Sequence, residues 1–87
     1  MKNPKEALSD AWGIPKDLAL DLPHMTLSGN RELYLENYKS LLKYSTEEII
    51  VGGKKFRITI SGKKLEIKSI RRDDILILGE ITEIQYQ

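Results

Sequence analysis

Thr26-Leu27-Ser28-Gly29-Asn30-Arg31-Glu32-Leu33-Tyr34-Leu35-Glu36 and Thr59-Ile60-Ser61-Gly62-Lys63-Lys64-Leu65-Glu66-Ile67-Lys68 are the two stretches whose reading decides the fold. Each opens on the same phrase, Thr-Leu/Ile-Ser-Gly, and passes through a polar turn. Each then continues with apolar residues at every second position. An apolar period of two marks a half-buried strand, and a glycine-bearing polar turn between two such runs marks a β-hairpin. In the second copy, a two-residue Gly62-Lys63 loop of type II′ sets the register. Ser61 then faces Lys64, Ile60 faces Leu65, Ile58 faces Ile67 and Phe56 faces Ser69, while Thr59 meets Glu66 and Arg57 meets Lys68 on the other side. Every strongly apolar residue falls on one face, and a one-residue slip would undo that sorting.

Outward from these hairpins, the pattern predicts strands over 25–28, 32–36, 41–45, 48–51, 55–61, 65–70, 74–78 and 81–86. Turns are expected at Gly29-Asn30, Gly52-Gly53, Gly62-Lys63 and Gly79-Glu80, and a helical turn competes with an extended segment over 37–42. Regular short strands point to a mainly β fold: a small single-domain antiparallel β-sandwich, barrel or roll of about seven or eight short strands. A β-solenoid would show three or more repeats, and only two are present. Before the strands, Asn3 suits a helix N-cap, Pro4 the first turn and Glu6 the capping-box position. Ala7, Leu8, Ala11 and Trp12 make an apolar stripe that Gly13 and Pro15 end. The expected organisation is therefore an N-terminal helix and linker over 1–23, with Leu18, Leu20 and Leu22 as anchors, followed by an all-β domain over 24–87.

Composition narrows the chemistry. The 87 residues are 40% hydrophobic and 31% charged, with no cysteine and one histidine. Disulfides, cysteine-ligated zinc, iron–sulfur clusters and thiol catalysis are excluded, as is a multi-histidine metal site. No apolar run approaches the roughly 20 residues of a membrane-spanning helix, and Met1–Asp10 lacks the apolar core of a secretory signal. The pairs Glu47-Glu48 and Asp73-Asp74 are adjacent, so on a strand their side chains diverge and form no dyad. Ser28 and Ser61 lack a base at motif spacing, His24 stands alone, and Gly52-Gly53 is not followed by a phosphate-cradling helix. The chain reads as a non-enzyme, with no cofactor and no metal.

The net charge of +1 conceals a strong segregation. Residues 54–72 carry eight basic side chains against Glu66 alone, whereas residues 73–87 carry four acids and no base. In the hairpin register, Arg57 and Lys68 share an exposed face to which Lys55, Lys64 and Arg72 add charge. Such a face is either a solvated strand surface or a patch for an anionic partner: a phospholipid surface, an acidic protein or nucleic acid. Nucleic acid is the least favoured, because no exposed aromatic is interleaved with the cations.

From Asp21 onward the chain resembles the YabP/YqfC family of sporulation proteins, the YqfC branch in particular. The resemblance is carried by Asp21-Leu22-Pro23, Thr26-Leu27-Ser28-Gly29-Asn30-Arg31-Glu32-Leu33 and Leu35-Glu36-Asn37-Tyr38-Lys39. It continues through Tyr44-Ser45, Glu48-Ile49, Ile60-Ser61-Gly62-Lys63, Leu65-Glu66-Ile67-Lys68, Ile75, Ile77, Gly79-Glu80-Ile81 and Ile84, and Trp12 with Ile14-Pro15-Lys16-Asp17 also fits. Tyr38 stands where the resemblance leads one to expect histidine, which argues against a titrating or metal-binding role for that block. The resemblance implies a non-enzymatic interaction module acting in the mother cell during endospore development. It would lie in the mother-cell cytoplasm or peripherally at the forespore membrane or spore surface, with a YqfD-like membrane protein as partner. Self-association and an anionic membrane surface are further partners compatible with the sequence. A small β-barrel regulator binding nucleic acid through 54–72 is the alternative. The residues expected to bind a partner are Glu36, Asn37, Lys55, Arg57, Lys64, Lys68 and Arg72; Asn37 also reads as a turn former after its strand.

Overall fold

A computed structural model describes residues 22–87; the expected N-terminal helix and most of the linker lie outside the described residues. Six strands follow in order: β1 (His24–Ser28), β2 (Glu32–Glu36), β3 (Ser40–Tyr44), β4 (Glu48–Gly52), β5 (Arg57–Ile70) and β6 (Asp74–Tyr86). All are antiparallel and form one sheet in the order β1-β2-β6-β5-β4-β3. No helix occurs among the described residues. The segment 37–39 is a short connection in which Asn37 adopts a left-handed conformation (φ 69°), so the helical turn considered there does not form.

The mainly β expectation holds, but the count of seven or eight short strands does not. The two segments expected as hairpins, 55–61 with 65–70 and 74–78 with 81–86, are single strands of 14 and 13 residues, and they pair with each other. The Gly62-Lys63 turn and its register are therefore wrong. Ile60 faces Ile84, Ile58 faces Tyr86 and Ile67 faces Ile77; Arg57 faces Gly52 of β4 and is not paired with Lys68. The reason lies in what glycine does at each place. A Cβ on Gly62 would sit 2.0 Å from the Glu80 carbonyl oxygen, and one on Gly79 would sit 2.7 Å from that of Lys64. Gly79 also has φ +138°, a conformation that L side chains rarely adopt. These glycines let two long strands bend and cross at close quarters. Register shifts at Ser61/Gly62, Lys63/Glu66 and Ile67/Ser69, with Lys64 at φ 54°, increase the bend.

Bending gives β5 and β6 two working halves each. The first half of β6 and the second half of β5 combine with β2 and β1; the second half of β6 and the first half of β5 combine with β4 and β3. The two halves of the sheet make matching closures at the bend. Gly79 N–H and Ile81 N–H donate to the carbonyls of Arg31 and Asn30 (3.1 and 2.7 Å), while Gly62 N–H and Leu65 N–H donate to Glu47 and Thr46 (3.0 and 2.8 Å). Each hairpin turn thus caps the bend of the long strand beside it.

Period-two alternation places Leu33, Leu35, Leu65, Ile75 and Ile77 inward from one half and Ile49, Val51, Ile58, Ile60 and Ile81 inward from the other. With Tyr38 from the connection, they form one continuous core. Burying each Leu or Ile contributes about 1.5–3 kcal/mol against leaving it in water, so one shared core is what holds the two halves together.

Candidate functional site

Several of the expected residues are brought together where β2 ends. Asn37 N–H donates to the Asp73 carbonyl (2.8 Å) and its side-chain Nδ2 donates to the Leu22 carbonyl (2.6 Å). Beside it, Glu36 Oε1 lies 3.2 Å from His24 Nδ1 across the β1–β2 pair. Tyr38 is buried, and its hydroxyl donates to the Arg71 carbonyl at 2.6 Å. Arg71 closes its turn through its N–H to the Asp74 carbonyl (2.8 Å) and its Nε to Asp74 Oδ1 (3.0 Å). The chain leading into β1, the β2–β3 connection and the β5–β6 turn are thereby tied into one polar end of the molecule.

Local electrostatics follow from that packing. Burial pushes the Tyr38 phenol above its ordinary value of 10.0, and the carboxylates of Asp74 and Asp73 add to the shift. Burial also raises Tyr34, followed by the effect of the neighbouring Asp74 carboxylate. Both phenols therefore hold their protons more strongly than in water, because an anion there would be poorly hydrated and close to negative charge.

The seven residues expected to bind a partner are distributed unevenly. Glu36, Asn37 and Arg72 border the polar end, Arg72 being exposed in the β5–β6 turn. Lys55 and Arg57, both exposed, lie around the β4–β5 connection. Two Cα steps of about 3.8 Å separate Asn37 from Lys39. Since Lys39 N–H donates to the Gly52 carbonyl (2.8 Å) and Arg57 pairs with Gly52, that connection adjoins the same end. Lys64 sits at the bend, and Lys68 lies on the outward face of the second half of β5. The single basic hairpin face is thus replaced by cations strung along a bent strand, with Lys63 paired opposite Glu80.

The structural roles of two tyrosines escaped the sequence reading. Tyr38 is flanked by polar residues and carries no strand periodicity, so nothing marked it as core. Tyr44, on the edge strand β3, accepts a hydrogen bond from Ile67 N–H (3.1 Å) and so covers an amide on the free edge of β5. Two shallow surface concavities lie among the described residues. One of about 460 Å³ lies over the β3–β4 turn, lined by Lys43, Ser45, Thr46, Glu47 and Glu48; another of about 260 Å³ runs between Leu27 and the Ile81–Ile84 segment. Among the described residues no group of three or more His, Cys, Asp or Glu is placed to hold a metal ion. No helix among them is long and apolar enough to cross a membrane.

A family model described as the YabP family matches residues 21–87. The chain belongs to the YabP/YqfC family. Over 82 residues it is 38% identical to the uncharacterized protein YqfC of Bacillus subtilis (strain 168), covering 94% of this chain and 88% of that one. The YabP span contains all six strands, including both bending glycines and the polar end around Asn37. The likeness to YqfC is longer than that span and so extends before residue 21.

Proposed function

We propose that this protein is a non-enzymatic interaction module of endospore development, acting in the mother cell and held near the forespore membrane by a YqfD-like membrane-protein partner. The observation that carries the reading is the YabP-family match across the whole described β domain, because resemblance to that family is what implies a sporulation role. Lys55, Arg57 and Arg72 are exposed, so their charges are presented to another macromolecule. The polar end with Glu36, Asn37 and Arg72, flanked by Lys55 and Arg57, is the contact surface we assign to the partner.

A fluorescent fusion followed through sporulation tests this, in cells with and without the membrane partner. A ring around the forespore that disperses when the partner is deleted is the expected result. A ring that survives the deletion would replace the protein partner with direct attachment to anionic lipid. Signal over the chromosome or throughout the cell would overturn the reading in favour of a soluble regulator.

A further inference from the structure

We propose that the free edge of β6, over Glu83–Gln87, pairs antiparallel with the same edge of a second copy of this chain, about a two-fold axis at Gln85. The inference does not depend on the sporulation reading, which stands or falls separately.

The direction of the main-chain groups comes first. Arg57 and Gln87 exchange both backbone hydrogen bonds (3.0 and 2.8 Å), and the register then runs without a shift through Thr59–Gln85 to Ser61–Glu83. In an antiparallel ladder such pairs alternate, so Glu83, Gln85 and Gln87 face β5 while Ile84 and Tyr86 turn their N–H and C=O groups to the opposite side. No other described strand pairs with that side. An exposed row of this kind is a template for strand addition unless it is blocked.

The other three edges of the described sheet are blocked in recognisable ways. β1 has five residues and is preceded by Pro23; β3 carries a register shift at Leu42 and the ion-paired Lys43. The second half of β5 has Lys68, a register shift and an amide covered by the Tyr44 hydroxyl. From Glu83 to Tyr86 there is no lysine, proline or shift. Tyr86 is 62% exposed, and the groove of about 260 Å³ beside this edge leaves Leu27 49% exposed.

Self-complementarity identifies the occupant as a second copy. Centring the pair on Gln85 sets Ile84 opposite the second copy's Tyr86, a β-branched–aromatic pair, with both residues exchanging main-chain bonds. Gln85 meets its own symmetry mate, and Glu83 meets Gln87. Centring on Glu83 instead would oppose two carboxylates, and centring on Ile84 would draw in Thr82, the residue bulged out between Ser61–Glu83 and Gly62–Ile81.

The full chain has no cysteine, which makes a cross-link clean to read. In Gln85→Cys the two thiols meet across a non-hydrogen-bonded pair, where Cα atoms lie about 4.5 Å apart, within disulfide range. Mild oxidation should cross-link Gln85→Cys several-fold more completely than Glu83→Cys. Light scattering of the uncross-linked chain should show mass rising toward twice 10.0 kDa as concentration increases. Tyr86→Pro, which removes an N–H that the monomer's own ladder does not use, should abolish both effects while keeping the far-UV circular dichroism of the parent. A strict monomer at all concentrations would overturn the proposal. So would a dimer that ignores Tyr86→Pro or cross-links equally through Glu83→Cys. Slow hydrogen exchange at the Ile84 and Tyr86 amides in dilute monomer would also overturn it, because the chain's own residues would then cover the edge.

Discussion

Gly62→Ala should be among the most damaging single-methyl additions this protein can receive. The backbone φ at Gly62 lies outside the positive range, so the penalty is steric and comes from one place. The new Cβ would lie 2.0 Å from the Glu80 carbonyl oxygen and 3.1 Å from Ile81 Cα, both main-chain atoms that cannot rotate away. Reaching even the 3.0 Å below which such contacts essentially never occur requires β5 and β6 to part by about 1 Å at their crossing. That movement pulls on the bonds from Gly62 to Glu47 and from Ile81 to Asn30. Losing one or two of them costs about 1 kcal/mol each, and overpacking adds about 1–3 kcal/mol, for a total of about 2–5 kcal/mol. A domain of this size has roughly 4–13 kcal/mol in all, at about 0.05–0.15 kcal/mol per residue. The melting temperature should fall by roughly 8–40 °C at about 4–8 °C per kcal/mol, or the chain should fail to fold. Gly29→Ala is the matched control: Gly29 ends the same four-residue phrase, has φ +56° and has nothing within 4 Å of where a methyl would project. That change should cost only about 1–2 kcal/mol for the left-handed conformation. Urea denaturation followed by far-UV circular dichroism compares the two. If Gly62→Ala is no more destabilising than Gly29→Ala, the close crossing of β5 and β6 is wrong.

Other substitutions probe the polar end and the edge. Because the Tyr38 phenol is raised above 10.0 in the fold, the unfolded chain loses that proton first, and stability should be intact below pH 10 and decline above it. Tyr38→Phe should cost about 1 kcal/mol at neutral pH through loss of the bond to Arg71 and should flatten the alkaline decline, read from urea midpoints between pH 8 and 11. At Asn37, Ala loses the bond to Leu22 and must adopt φ 69°, whereas Gly loses only the bond. Asn37→Ala should therefore be about 1 kcal/mol less stable than Asn37→Gly by chemical denaturation. Tyr44→Phe should leave the Ile67 amide uncovered and speed its hydrogen exchange relative to Ile77 in the buried middle of the sheet, which NMR would detect.

The sequence located strands well and connections poorly, for a physical reason. Alternation in Glu32–Glu36 and Glu48–Val51 is a local consequence of one buried face, so the inward residues Leu33, Leu35, Ile49 and Val51 could be read directly. Gly29 and Gly62 end near-identical phrases, yet the first turns the chain while the second admits a neighbouring backbone. Nothing within a few residues distinguishes those uses, because the atom that requires Gly62 belongs to Glu80. The basic face suffered from the same error: once the Gly62 turn is removed, Arg57 and Lys68 part company although both remain exposed. At the candidate site, Asn37 was legible as a turn former from its residue type, but its tie to Leu22 spans 15 positions and was not. Tyr38 and Tyr44 act through hydroxyls on residues 33 and 23 positions away, a separation at which single-sequence patterns carry no information.

Since β5 and β6 each belong to both halves of the sheet, neither half owns a complete set of strands. Releasing β1 and β2 would strip the first half of β6, and releasing β3 and β4 would strip the first half of β5; either loss opens the common core. The molecule should accordingly melt as one cooperative unit, its slowest-exchanging amides in both halves sharing a single opening free energy equal to that of global unfolding. A strain applied at one end is therefore resisted by every strand at once.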